Sequence, residues 1–242
     1  MPRGRCKQPN VAISMLFLIV LCVNLERVGA TLGVDMSVAT TADTFSCLSA
    51  QGIAFVIPRV YRCIGETDPL GLKSMQLALQ QKSFKFVDGY IFPCVPDAPY
   101  NVQNNITCPT PAQQVQDTLN MLSALPPLEQ KLRLWLDVED ELPSKYYSII
   151  PDSNIKLLSE MTKALEANGV SVGVYTTKTY WAQIMGNALN WGSQYPLWYP
   201  RYDATNSMTF FEPFADFTSV FIKQTGGGTA LCGITVDTDY ML

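Results

Sequence analysis

Residues Leu134, Trp135, Leu136, Asp137, Val138 and Glu139 form an apolar run that ends in two carboxylic acids two positions apart. Side chains of a β-strand alternate between its faces, so a strand here points Asp137 and Glu139 the same way. Two acids side by side at the end of a buried strand do not both ionise cheaply, because burial and each negative charge raise the proton affinity of the other. One of them then keeps a proton near neutral pH. Cleavage of a glycosidic bond uses such a pair: one acid protonates the leaving oxygen, and a second group stabilises or attacks the positively charged sugar. An isolated Asp-x-Glu also fits an ordinary solvated strand end, so this reading needs further acids converging on the same place.

Composition removes most rival chemistries. The 242 residues include no histidine. Ser-His-Asp and Cys-His nucleophile systems are therefore absent, as are the common His-containing zinc sites. Acid and base work falls to Asp, Glu, Tyr, Lys or Cys. No glycine-rich phosphate-binding pattern opens a helix, which leaves a nucleotide site without support. Gly226, Gly227 and Gly228 lack the lysine and the helix of a phosphate cradle and read as a loop. Neither a metal nor an organic cofactor is expected.

At the N-terminus, Arg3, Arg5 and Lys7 precede an apolar run over 11–25, and Val28, Gly29 and Ala30 supply the small residues of a cleavage site. A secretory signal peptide over 1–30 is the expectation, with secretion or delivery to the lumen of lysosome-like vesicles. An uncleaved anchor is the alternative, but Ser14 and Asn24 interrupt the run and it is short for a membrane span. No later segment is long and apolar enough to cross a bilayer, so no stable membrane insertion is expected after cleavage. Removing residues 1–30 takes away four basic residues and one acid and moves the formal charge from −4 to −7. So acidic a chain argues against nucleic acid as a partner. Cys47, Cys63, Cys94, Cys108 and Cys232 remain, and five cysteines on an oxidising route imply two disulfides and one thiol left over. Cys94 and Cys108 bracket a loop rich in Pro and Asn and form the natural local pair. Asn105 heads the glycosylation sequon Asn105-Ile106-Thr107 in that loop.

From residue 31 onward, strand-like and helix-like runs alternate with no linker between them, which makes one domain over 31–242. Strand candidates are 33–37, 54–61, 86–92, 133–139, 170–176, 197–202, 219–224 and 233–237. Helical patterns over 44–50, 69–81, 111–122, 153–168 and 179–185 follow the first five. The clearest starts at Pro151, Asp152 and Ser153, carries Ile155, Leu158, Met161 and Leu165 at helical spacing, and stops before Gly169. Helices are missing or minimal between the last three strands, so an α/β barrel fits the order better than an open doubly wound sheet. Barrels of this kind gather functional residues at the C-terminal ends of their strands. Asp35 ends the first strand, Asp137 and Glu139 end the fourth, and Asp237 ends the eighth. Closure makes the first and last strands neighbours, so Asp35 and Asp237 face the fourth-strand pair across one mouth. Tyr61, Tyr90, Tyr175, Trp198 and Tyr202 occupy the same ends, where flat rings suit the apolar faces of sugars. Each ring taken singly also suits a core or rim position.

Five ordered motifs then carry a family resemblance. Gly33-Val34-Asp35-Met36-Ser37, Trp135-Leu136-Asp137-Val138-Glu139, Gly173-Val174-Tyr175-Thr176, Leu197-Trp198-Tyr199-Pro200-Arg201-Tyr202, and the terminal stretch from Lys223-Gln224-Thr225 through Cys232-Gly233-Ile234-Thr235-Val236-Asp237 resemble glycoside hydrolase family 25 lysozymes. The resemblance is to the secreted nematode and amoeba branch. It implies a single-domain (β/α)5(β)3 barrel that cleaves the β-1,4 bond between N-acetylmuramic acid and N-acetylglucosamine in bacterial peptidoglycan. Glu139 matches the family's general acid and base, Asp137 its partner, and Asp35 and Asp237 the outer acids of the cleft. Tyr175, Trp198 and Tyr202 match its sugar-lining aromatics, and Tyr61 and Tyr90 join them as candidates from the strand ends. The branch also places cysteines early in the first helix and before the last strand, which implies a Cys47 to Cys232 bridge and leaves Cys63 unpaired. Two departures stand out: Val38-Ala39-Thr40 replaces the aromatic-Gln-Gly run of bacterial members, and the loop from Cys94 to Cys108 is long.

Three function classes follow. A muramidase acting as a monomer on peptidoglycan, in antibacterial defence or digestion of bacteria, leads. An enzyme on chitin-type glycans and a non-catalytic secreted glycan-binding immune protein are the alternatives, and the four retained acids favour catalysis. Glu139 protonates the glycosidic oxygen on either of two routes, attack by the substrate's own N-acetyl oxygen or direct attack by a carboxylate or water. With no histidine, the titration that governs activity is that of a carboxyl with raised pKa, and Glu139 beside Asp137 is the expected one. An acidic optimum follows, with moderate salt helping near neutral pH by screening repulsion between an acidic enzyme and an acidic wall.

Overall fold

The computed structural model describes residues 31–140, 143–203 and 205–242, and the segment read as a signal peptide, 1–30, lies outside them. Its elements are β1 (Thr31–Met36), α1 (Ala42–Ala50), β2 (Ile53–Arg62), β3 (Glu66–Thr67), α2 (Pro69–Leu79), β4 (Phe86–Val87), β5 (Gly89–Ile91), α3 (Pro99–Gln103), α4 (Pro111–Leu122), β6 (Arg133–Asp137), α5 (Pro151–Ala167), β7 (Ser171–Tyr175), α6 (Lys178–Met185), β8 (Leu197–Pro200), β9 (Ile222–Leu231) and β10 (Ile234–Met241). Helix starts follow local chemistry. Thr41 and Thr44 form a reciprocal capping box before α1, Asp68 caps α2, Thr110 caps α4, and Pro occupies the first turn of α2, α3, α4 and α5.

Strands β1, β2, β5, β6, β7, β8 and β9 run parallel in that spatial order, and β10 closes the ring antiparallel to both β9 and β1. Helices stand between the first six of these strands and none joins β8, β9 and β10. The fold is therefore a TIM-like (β/α)5(β)3 barrel. Two short strands, β3 and β4, pair only with β2.

Three details differ from the sequence reading. The strand read over 86–92 is broken at Asp88, whose carboxylate turns inward to accept the Trp135 indole N–H at 3.0 Å. The long loop between Cys94 and Cys108 contains a helical turn, α3, too short for its periodicity to register. The last strand does not end at Asp237. Because β10 runs against its neighbours, Thr31 pairs with Met241 at the floor and Asp35 pairs with Asp237 at the mouth, while residues 234–236 continue upward as a hairpin with 229–231 of β9.

Strand alternation sorts the apolar residues into two cores. Phe55, Ile57, Trp135, Tyr175, Trp198 and Ile222 fill the barrel interior. Val34, Val56, Leu134, Leu136, Val172 and Val174 point outward and pack with Met75, Leu158, Met161 and Ile184 of the helices. The interior rings need glycine opposite them. A Cβ on Gly33 would lie 2.1 Å from the Phe55 ring, and one on Gly173 would lie 2.3 Å from the Trp135 ring. Each of these glycines sits two residues before a mouth residue, Asp35 or Tyr175, so the packing below sets the height of the site above.

Two disulfides fasten the periphery. Cys47 of α1 joins Cys232 in the β9–β10 turn with their Cα atoms 5.7 Å apart, and Cys94 joins Cys108 across the α3 loop at 5.5 Å. Cys63 carries a free thiol. Asn105 is exposed in the α3 loop, with a left-handed backbone at φ 55°.

Candidate active site

Four carboxyl groups meet at the barrel mouth. Asp35, Asp137, Glu139 and Asp237 line one small pocket together with Tyr90, Tyr175, Trp198, Tyr202 and Gln224. Its volume is about 100 Å³. Larger hollows of about 450 and 500 Å³ lie elsewhere on the surface, and neither gathers carboxyls from several strand ends.

The Asp137–Glu139 segment is fixed from both sides. Beyond the end of β6, the Val138 N–H donates to the Tyr175 carbonyl at 2.8 Å, and the Thr176 hydroxyl donates to the Val138 carbonyl at 2.8 Å. The buried Tyr147 hydroxyl donates to the Asp137 carbonyl. Asp140 then accepts the backbone N–H groups of Lys145, Tyr146 and Tyr147 at 2.9 to 3.2 Å, which ties 145–147 to the residue after Glu139. Sequence reasoning passed over Asp140, although an acid directly after the motif was its available signal.

Gln224 is the hub of the cluster and was also missed. Its side-chain oxygen accepts the hydroxyls of Tyr175 at 2.8 Å and Tyr202 at 2.7 Å. Its amide donates to Asp35 at 2.8 Å and, at 3.5 Å, to Asp237. Asp237 also accepts the Gly228 N–H of the hairpin at 2.6 Å, so the glycine run read as a loop contributes a backbone donor to the site. The signal for Gln224 was its position two residues past inward-facing Ile222 on the same strand. On the opposite face of β9, Lys223 is fully buried and bonds Asp203 and the carbonyls of Thr205 and Ser207, which pins the loop carrying Tyr202. Replacing Gln224 by Leu leaves both phenols and Asp35 short of a partner. Turnover is expected to fall on the order of tenfold to a hundredfold, with KM rising less than kcat falls. Steady-state kinetics on a soluble glycan fragment checks this.

Burial dominates the electrostatics. Glu139, partly open to the mouth, is pushed up to about 7 by burial and then by the charges of Asp237 and Asp140, against the opposing hydrogen bond from the Tyr175 hydroxyl. Asp35 is pushed up to about 8 by burial first and Asp237 second. Asp137 lies well above the usual carboxylate range through burial, Glu139 and Asp35, with the Arg59 guanidinium opposing. Glu139 is thus the raised acid that the sequence leads one to expect, and Asp137, the deeper of the two, is raised as well. Its Oδ1 atom is buried without a donor among the described residues, as suits an acid that holds its own proton. Activity requiring a protonated Glu139 is expected to hold below about pH 7 and to fall roughly tenfold per pH unit above it. A rate that stays flat from neutral to strongly alkaline pH would place the proton donor elsewhere.

The aromatic candidates separate. Tyr202 stands 60% exposed at the rim, and Tyr90 is half-buried beside Trp198 with ring centroids 6.3 Å apart. Trp198 and Tyr175 are nearly covered and pack edge to face at 4.7 Å, so they form the floor and offer little ring area. Tyr61 is not brought to the mouth. An irregularity in the pairing of β2 with β5 between Arg59 and Tyr61 reverses the alternation, and Tyr61 turns outward into the core beneath the helices with no exposure.

A closed TIM-like barrel with four acids gathered at one rim has the architecture and the side chains of a glycoside hydrolase. The comparisons sharpen the class. Residues 26–225 match the family model described as "Lysozyme-like protein 1". The chain is 32% identical over 216 residues to "Probable GH family 25 lysozyme 2" of Dictyostelium discoideum, covering 89% of this chain and 93% of that protein. It is 30% identical over 211 residues to "Lysozyme-like protein 5" of Caenorhabditis elegans, covering 86% and 90%. Among solved structures, a family GH25 lysozyme from Aspergillus fumigatus superposes with a TM-score of 0.67 at 18% identity, over 88% of this chain and 94% of that one. The chain belongs to the lysozyme-like proteins of glycoside hydrolase family 25, in the branch that includes the nematode and amoeba proteins, and it is a muramidase-type glycan hydrolase.

Proposed function

We propose that the enzyme is a secreted N-acetylmuramidase that hydrolyses the β-1,4 bond between N-acetylmuramic acid and N-acetylglucosamine of bacterial peptidoglycan, in defence against bacteria or their digestion. One observation carries the reading: Glu139, partly open to the mouth and with a proton affinity near neutrality, stands among Asp35, Asp137 and Asp237. Glu139 gives its proton to the glycosidic oxygen as that bond breaks, and the leaving sugar departs as an alcohol. Positive charge develops on the anomeric carbon, and the negative charge that the acid cluster retains stabilises it. The substrate's own N-acetyl oxygen then attacks that carbon; Glu139, now ionised, takes a proton from the water that opens the resulting ring.

The basic and apolar leader, the exposed Asn105 and the two disulfides support passage through the secretory pathway, to the outside or to lysosome-like vesicles. Asn105 carries the glycan on this reading, and the protein acts as a monomer. The test is parallel turnover of purified peptidoglycan and of chitin oligomers at equal sugar concentration. Preference for peptidoglycan is expected; faster cleavage of chitin oligomers overturns the substrate assignment.

A further inference from the structure

Below the four mouth acids lies a fifth, Asp239, which the reaction above does not use. It is 2% exposed on the inward side of β10 and pairs across the sheet with Gly33 of β1 and Gln224 of β9. Asp35 pairs with Asp237, so Asp239 is its diagonal neighbour one layer deeper. One oxygen of Asp239 accepts the Trp198 indole N–H at 2.8 Å. The other, Oδ2, is buried and meets no N–H or hydroxyl donor among the described residues. The carboxyl of Asp35, on the adjacent strand, is a hydrogen-bonding neighbour of Asp239. Two ionised carboxylates facing each other in a dry interior would repel and leave that oxygen unbonded. A proton between them removes both costs.

We propose that Asp35 and Asp239 share one proton through neutral pH as a carboxyl–carboxylate pair, which makes Asp239 the positioning residue for Asp35. The surroundings agree. Burial and then the charge of Asp35 push Asp239 well above the usual carboxylate range. Asp237 on the same strand, and Asp137 and Glu139 at the end of β6, disfavour a second negative charge on the pair. The phenols of Tyr90, Tyr175 and Tyr202 face the cluster from β5, β7 and the loop after β8, and all are pushed upward, so they stay neutral. Among the described residues Arg59 of β2 is a cation that bears on the cluster, and it acts on Asp137. Asp35 is thus held from two sides, by the Gln224 amide and by Asp239. The floor of the site also carries one charge instead of two, which keeps the proton affinity of Glu139 near neutrality. This last consequence rests on the role proposed for Glu139; the shared proton does not.

The experiment is a carbon-13 NMR titration of aspartate carboxyls in the mature protein, in wild type, Asp35→Asn and Asp239→Asn, each variant assigning the resonance it removes. In wild type both resonances should follow two common steps, the last above pH 7. In Asp35→Asn the last step of Asp239 should fall by about one pH unit or more, because the neighbouring charge is gone and the new amide donates to Oδ2. Full ionisation of both acids below pH 5 in wild type, or an Asp239 curve unmoved by Asp35→Asn, overturns the proposal. If one variant fails to fold, the other still assigns the resonance it removes, and the wild-type curve of that acid decides. No substrate is involved, so this result and the muramidase reading stand or fall separately.

Discussion

Glu139→Gln is expected to abolish measurable wall lysis while the protein keeps its fold. The substitution is isosteric, and the Gln oxygen still accepts the Tyr175 hydroxyl that reaches Glu139 at 3.4 Å in the native site. What is lost is the proton. Loss of a general acid typically costs about 10² to 10⁴ in rate, and the upper part of that range is expected here because no histidine or other group stands ready to replace it. Asp35 and Asp137 also hold protons near neutrality, but Asp137 is 5% exposed and Asp35 is engaged by Gln224, so neither reaches a leaving oxygen as Glu139 does. Lysis assays with circular dichroism on the same samples separate a lost proton from a lost fold. Retention of a tenth or more of wild-type activity by folded Glu139→Gln would remove Glu139 from its assigned role.

Replacing both Cys47 and Cys232 by Ala should cause the largest loss of stability. That bridge closes 185 residues of chain. In the chain-entropy view a loop of this length contributes roughly 5 kcal/mol, and measured losses for native bridges run about 2 to 5 kcal/mol. A fall in Tm on the order of 10 °C follows for a domain of this size. The bridge also ties the β9–β10 hairpin to α1, and that hairpin supplies the Gly228 N–H to Asp237. Activity should therefore decline before global unfolding in the double variant, and in wild type the two should decline together. Calorimetry beside residual activity on a heating ramp measures both. A Tm unchanged within 2 °C would mean that β10, paired on both edges, holds the closure unaided.

The barrel was legible because parallel strands buried on both faces read as apolar runs, and because five helical patterns followed five strands with none among the last three. The positions of Asp35, Asp137 and Glu139 followed from strand ends. Asp237 was placed at the right rim for a partly mistaken reason, since strand direction is not written in a single strand's residues and β10 runs against its neighbours. Tyr61 was misplaced because one irregular pairing reverses alternation locally, and such a shift leaves no mark in composition. Gln224 and Asp239 stayed hidden because a polar residue in a strand looks solvated until closure shows that its face is the barrel interior. The greater depth of Asp137 was equally hidden, because spacing does not convey how far a side chain lies below the mouth.

The most direct measurement is of the new sugar ends released from purified peptidoglycan. After digestion and borohydride reduction, the acid hydrolysate should contain muramicitol, the reduced form of muramic acid, rising with time in wild type and absent with Glu139→Gln. Reduced glucosamine in its place, or no reduced sugar from a folded wild-type enzyme, would contradict the account.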